Sequence, residues 1–399
     1  MTPALGSDVL ERALAERTQA NAQFFEAECE RLAHLCHRMA ERFARGGRLI
    51  AAGRSPAARS DARHVAVEFV HPVIVGKRAL PALALAGEGG PLATQLELAA
   101  EPDDIVIGFG VDDDGGEAAA ALAVARERGC LTLAFAPAGA EWEFLPPGSD
   151  PAIRQELVET LYHVLWELVH VFFDHRGLLE GREARKVHDS GASSFLYPFL
   201  AESEHDLDAV VDDVRRSVLA KAHEIGDLRA QTLTDNREAL AAAATSLRAD
   251  LETGGRLLAM GNGGSATDAM DVVADFRFPP DPRWRSRRAL DLTEDAAILT
   301  AIANDIGTDA IFSRQLIAHG RAGDTVLAIS TSGNSENVIA ALAEARSRGL
   351  RSIAMVGYDG GRVAAERLAE HVVVTRSEHI PRIQEAQASA YHVLRELVG

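Results

Sequence analysis

Cysteine is scarce in this chain. The three present, Cys29, Cys36 and Cys130, have neither the CxxC spacing of a zinc or redox site nor the even count of a disulfide framework, so they read as buried or inert thiols. Long apolar runs are missing too: ALPALALAG and LVHVFF fall well short of the roughly 20 residues needed to cross a bilayer, and no membrane span is expected. The opening MTPALGSDVLERALAERTQ lacks the basic start and continuous apolar core of a signal peptide, which points to a cytoplasmic protein. Positive charge is also short: 41 Lys and Arg face 59 Asp and Glu, for a net charge of −18. A broad nucleic-acid surface needs clustered Lys and Arg, so no direct nucleic-acid partner is expected. Local anion sites built from backbone amides and hydroxyls remain open to it.

What is present is an ordinary globular balance, 47% apolar and 25% charged, over 399 residues, enough for two domains. The sequence also repeats itself. GGRLIAAG at 46–53 returns as GGRLLAMG at 254–261, and DARHVAVEF at 61–69 is answered by DAMDVVADF at 268–276. ALAVARERGCLTLAF from Ala121 matches ALAEARSRGLRSIAM from Ala341, and YHVLWELV at 162–169 returns as YHVLRELV at 391–398. The blocks keep their order, as a duplicated domain requires. Within each copy, short apolar segments (RLIAAG, DIVIGFG, LTLAFAP; RLLAMG, DTVLAIS, SIAMVG) alternate with longer helical patterns, the signature of a parallel sheet covered by helices. Gly, Ser and Pro interrupt the periodicity between Gly181 and Asp206, which gives a first domain at 1–180, a linker at 181–206 and a second domain at 207–399. Val9–Phe43 and Leu207–Leu251 read as an N-terminal helical hairpin for each copy.

The second copy carries two loops suited to phosphate. MGNGGSATDAM places Gly261, Gly263 and Gly264 between a strand and a helix, where the backbone turns tightly and helix N–H groups face an anion. LAISTSGNSENVIAAL ends a strand at Ile329 and opens a helix near Glu336, presenting Ser330, Thr331, Ser332 and Ser335 around Gly333. Helix caps and turn residues explain many such loops singly; two at the carboxyl ends of strands in one α/β unit point to a ligand.

GNGGSATDAM, LTEDAAILTAIANDIGTDAIFSRQL, STSGNSENVIAAL, DGG and HIPRIQE together resemble the sugar isomerase (SIS) family, most closely its phosphoheptose isomerase branch, over about 207–399. The resemblance implies two tandem flavodoxin-like SIS domains, each a parallel sheet sandwiched by helices. It implies a phosphorylated sugar as ligand, no nucleotide cofactor, and a homo-oligomer, since sites in this family often lie between SIS units. Ser265, Ser330, Thr331, Ser332 and Ser335 would hold phosphate, and Asn262, Gly263, Asp305 and Gln384 would complete the substrate site.

Zinc-dependent members place His and Glu four residues apart after the GNGGS loop, and Gln and His eight apart on the last helix; each pair shares one helix side. The second copy has Asp271 and Asp275 at the first pair and Gln384 and His392 at the second. The shorter, harder ligands argue there for an oxygen-ligated metal or none. The first copy keeps all four, His64, Glu68, Gln155 and His163, which makes it the zinc candidate. Its phosphate loops have decayed: AGRSPAARSD lacks the GNGGS glycines, and Asp112, Asp113 and Asp114 stand where STSGNS would be, repelling phosphate.

The leading expectation is an aldose–ketose isomerase that takes sedoheptulose 7-phosphate to D-glycero-D-manno-heptose 7-phosphate through an enediol. The second copy would grip the sugar while Glu68 serves as base and His163 as acid; the fallback is a self-contained second site using Asp275 and His392. The rival is a non-catalytic phosphosugar-binding regulator, like the DnaA initiator-associating adapters of the same fold. A related isomerase acting on another ketose phosphate is the third reading.

Overall fold

The computed structural model describes residues 3–73, 77–87, 89–110, 115–174 and 206–399. The first half runs α1 (Pro3–Ala44), β1 (Leu49–Gly53), α2 (Pro56–Val70), β2 (Ala82–Leu85), α3 (Leu92–Ala99), β3 (Ile105–Phe109), α4 (Glu117–Glu127), β4 (Leu131–Ala134), β5 (Trp142–Glu143) and α5 (Pro151–Asp174). The second half begins with α6 (Leu207–Asp235), α7 (Arg237–Glu252), β6 (Leu257–Met260), α8 (Gly264–Arg277), β7 (Ala289–Asp291) and α9 (Ala296–Asp305). After a 3₁₀ turn at Thr308–Ala310 come α10 (Ser313–His319), β8 (Thr325–Ser330), α11 (Glu336–Ser347), β9 (Arg351–Gly357), α12 (Gly361–Ala365), β10 (His371–Thr375) and α13 (Ile380–Val398).

Both sheets are parallel and five-stranded, ordered β2-β1-β3-β4-β5 and β7-β6-β8-β9-β10. The two orders are the same topology written twice, so the duplication read from sequence is a duplication of fold. The match extends to side chains. Arg48 receives Asp104 Oδ1 on its backbone N–H and Asp104 Oδ2 on its guanidinium, each at 2.7 Å. Arg256 repeats the arrangement on Asp324 at 2.9 and 2.6 Å.

Six strands coincide with the six apolar segments read from sequence. The other four, β2, β5, β7 and β10, are the edge strands of the two sheets. The expected first hairpin is absent: α1 is one continuous helix. The second hairpin does break, at Asn236, whose side-chain amide donates to Val374 O and accepts from Val374 N, both at 2.9 Å. That amide completes the edge of β10 as a neighbouring strand would.

The chain forms two compact units. One comprises Met1–Gln19, Ser149–Glu156 and Glu224–Gly399; the other comprises Ala20–Gly148 and Leu157–His223. This differs from the expected single cut, because α1, α5 and α6 each contribute to both units. The expected linker lies outside the described residues except for Asp206, whose carboxylate accepts from the N–H groups of Asp208 and Ala209 at the start of α6.

In the β6–β10 unit, alternation along each strand supplies two cores. Leu257, Ala259, Leu327, Ile329, Ile353 and Met355 pack with α7, α8 and α13 on one face. Leu258, Met260, Val326, Ala328, Ala354 and Val356 pack with α10 and α11 on the other. Burial on both faces is what holds a parallel sheet.

Candidate active site

Both candidate phosphate loops of the β6–β10 unit leave adjacent strands, β6 and β8, at their carboxyl ends. That is where the strand order reverses, the place where open α/β sheets bind ligands. At Gly261 a Cβ would lie 2.2 Å from Ser265 O, so only glycine lets the first turn of α8 close onto β6. Asn262 and Asn337 exchange two amide hydrogen bonds, at 3.0 and 2.9 Å, tying the first loop to the second. Asn337 was not anticipated from sequence, since its partner is 75 residues away.

In the second loop Ser330 Oγ accepts from Gly333 N at 3.2 Å and lies 3.4 Å from Ser335 Oγ, while Ser332 Oγ accepts from Asn334 N at 3.2 Å. Gly333 has φ 62°, and a Cβ there would meet Gly360 O at 2.3 Å, so the loop rests directly on the Asp359-Gly360-Gly361 turn. Ser265 and Ser330 are buried, Thr331, Ser332 and Ser335 are half-buried, and Asn262 and Gly263 are exposed. Beside Ser332 and Asn334 opens a cavity of about 700 Å³, also lined by Tyr358, Asp359, Arg376, Ser377 and Glu378. Asp305 stands exposed at the end of α9, where Asn304 donates to it.

Further along α8, the two positions that depart from the zinc pattern meet α13. Asp271 Oδ2 and Asp275 Oδ2 lie 3.4 and 3.7 Å from His392 Nε2. That nitrogen is buried. The Tyr391 hydroxyl donates to Asp271 Oδ2 at 2.8 Å, and Gln155, at the start of α5, donates to Asp271 Oδ1 at 2.9 Å. Gln155 was expected in the first copy's ligand set; here its amide nitrogen serves the second copy's aspartate. Gln384 lies buried on α13, two turns before His392.

On its other side His392 Nδ1 meets Glu156 Oε1 at 2.9 Å. Glu156 was not anticipated either, although the sequence held a signal: the Gln-Glu pair at 155–156 recurs at 384–385 with the same spacing to the histidine. The one change in the repeated helix also finds a use. Trp166 is replaced by Arg395, whose Nε donates to the backbone oxygen of Asp275 at 3.1 Å, and whose guanidinium lies over Phe276 and Trp284.

Electrostatics separates these groups. Burial, then the charge of Asp271, pushes the Asp275 carboxyl up to about 7, against the pull of His392 and Arg395. Burial opposes charging of His392, but hydrogen bonds to Asp271 and Glu156 and the charges of Glu156 and Asp275 outweigh it, so the imidazolium is held well above the usual histidine range. Burial likewise opposes ionisation of Glu156, yet Arg17, His392 and Arg229 together hold its carboxyl well below the usual range.

In the β1–β5 unit the loop after β1 is built differently. Ser55 caps α2 by accepting from Ala58 N, and Arg54 reaches Gly87 O at 2.9 Å and Gly90 O at 3.2 Å. Asp112, Asp113 and Asp114 lie outside the described residues. His64, Glu68 and His163, however, converge: one ligand atom from each lies within 4.8 Å of the others, and all three residues are buried. The His64 and His163 rings are 5.0 Å apart, edge to face. Burial, then His163, holds His64 well below the usual range, in the neutral form that coordinates metals. Two imidazoles and a carboxylate fit a zinc ion.

A SIS-domain family profile matches residues 222–357. The chain is 48% identical over 147 residues to the phosphoheptose isomerase of Citrifermentans bemidjiense, covering 37% of this chain and 76% of that protein. It is 38% identical over 194 residues to the phosphoheptose isomerase of Nitratidesulfovibrio vulgaris, covering 47% and 89%. Among solved structures, the C-terminal domain of glucosamine-fructose-6-phosphate aminotransferase from Francisella tularensis superposes with a TM-score of 0.59 at 9% identity, covering 98% of this chain and 95% of that one; it is a likeness of fold. Fold and loops thus define a tandem SIS-domain protein. Within that class, the chain belongs to the phosphoheptose isomerase family.

Proposed function

We propose that the protein is a phosphosugar aldose–ketose isomerase converting sedoheptulose 7-phosphate to D-glycero-D-manno-heptose 7-phosphate. The observation that carries this reading is the presence, in one compact unit, of two hydroxyl-rich loops at the sheet's switch point and a buried Asp275–His392 pair. The similarity to phosphoheptose isomerases supports the same substrate class.

Ser330, Thr331, Ser332, Ser335 and the N-termini of α8 and α11 hold the phosphate. Asp275 removes the proton from C1 of the ketose while His392 Nε2 gives a proton to the C2 oxygen, forming the enediol. Asp275 then returns its proton to C2 as His392 recovers one from the C1 hydroxyl, leaving the aldehyde. A carboxyl near 7 suits this exchange at neutral pH. Ser265 and Asp275 are ten residues apart on α8, about 15 Å along the helix, a separation that favours a long sugar with phosphate and carbonyl at opposite ends. These proton steps are assigned to Asp275 and His392, rather than Glu68 and His163, because the former share a unit with the loops. His64, Glu68 and His163 would hold zinc, which when bound supplies Lewis-acid polarisation of a carbonyl. A cytoplasmic homo-oligomer belongs to the same reading.

One observation favours the regulator instead: Asp275 and His392 are only 6% and 3% exposed. The test is incubation of the purified protein with sedoheptulose 7-phosphate, with and without added zinc, followed by NMR. Appearance of the aldose supports the isomerase; binding without conversion supports the phosphosugar-binding regulator.

A further inference from the structure

We infer that Glu156, supplied by the start of α5, is the positioning residue that fixes the tautomer and direction of His392; its part in turnover rests on the isomerase reading above. Arg17 Nε lies 3.0 Å from both Glu156 oxygens and its Nη2 lies 2.8 Å from Oε1. The Ser389 hydroxyl donates to Oε2, and Arg229 Nη2 donates to the Glu156 backbone oxygen at 3.1 Å. Arg17, Glu156, Arg229, Ser389 and His392 are all at most 4% exposed, so these contacts are made away from water.

A carboxylate clamped by a buried arginine is an acceptor, so the ring nitrogen 2.9 Å from it, Nδ1, carries a proton. Nε2 is then the nitrogen whose proton comes and goes, and it is the one facing Asp271 and Asp275. The same turn of α5 sets the opposite side of this gap, since Gln155 holds Asp271. Two residues of the first copy thus complete the second copy's candidate site.

Glu156→Gln keeps the shape but not the charge. With Arg17 claiming the amide oxygen, the amide N–H₂ faces Nδ1 and drives the ring to the other tautomer. The expected result is a kcat lower by about 100-fold with KM changed less than about threefold, together with loss of the Nδ1–H signature in the ¹⁵N spectrum of the His392 ring. Ser389→Ala, which removes one donor to Glu156, is expected to give a smaller fall in kcat and is the variant to read if Glu156→Gln fails to fold. Unchanged kcat, or a raised KM at constant kcat, would overturn the inference. If the wild-type protein shows no turnover, the isomerase reading fails, and the ring spectrum alone decides: an Nδ1-protonated ring altered by Glu156→Gln sustains the positioning role, and a spectrum indifferent to the substitution removes it.

Discussion

Asp275 shows how burial and neighbouring charges set the chemistry of one side chain. Its carboxyl ordinarily titrates at 3.8 and is raised to about 7 in the folded protein. Between those values the folded state holds a proton that the unfolded chain has released, so this group's contribution to stability falls as pH rises from about 4 to about 7. Asp275→Asn is therefore expected to raise Tm more at pH 8 than at pH 5, as differential scanning calorimetry would show; an equal gain at both would mean that the carboxyl titrates normally. The phosphate loops make a separate claim. Ser330→Ala and Ser335→Ala each remove a hydroxyl from a charged ligand, an interaction worth about 1.5–3 kcal/mol, so calorimetric Kd for the phosphosugar should rise at least about tenfold for each. Much of the candidate site's makeup was legible as sequence, because the hydroxyls sit in two contiguous loops and the histidine lies at fixed spacing on a repeated helix. Glu156 and Asn337 were not, because each meets its partner only in space.

At the scale of elements, the apolar segments located the six strands in the interior of the two sheets. The edge strands β2, β5, β7 and β10 escaped. β10 shows what replaces sequence signal at an edge: the Asn236 amide pairs with Val374 as another strand would. Asn236→Ala should cost about 1–3 kcal/mol, because it leaves a backbone N–H and carbonyl without their partner. Hydrogen exchange should show faster exchange confined to β10 and the α6–α7 junction, whereas loss of protection throughout the unit would mean that Asn236 supports the whole fold.

For the whole molecule, duplication was plain in the sequence and recurs as two sheets of one topology with the same Arg–Asp clasp. The division into units was not legible, because α1, α5 and α6 give residues to both, and helical periodicity carries no mark of where a helix changes its allegiance. The copies have diverged in opposite senses. One keeps the two hydroxyl-rich loops and has Asp271 and Asp275 on α8; the other keeps the His64–Glu68–His163 cluster and has Arg54 after β1. Among the described residues no helix is long and apolar enough to cross a membrane.

The most direct test of isomerisation by the β6–β10 unit is turnover of sedoheptulose 7-phosphate in D₂O, run in parallel for the wild type, Asp275→Asn and Glu68→Gln. The expected result is aldose carrying deuterium at C2 and recovered ketose carrying it at C1, abolished by Asp275→Asn and retained in Glu68→Gln. Deuterium exchange that survives Asp275→Asn, or a bound ketose that never exchanges, would contradict it.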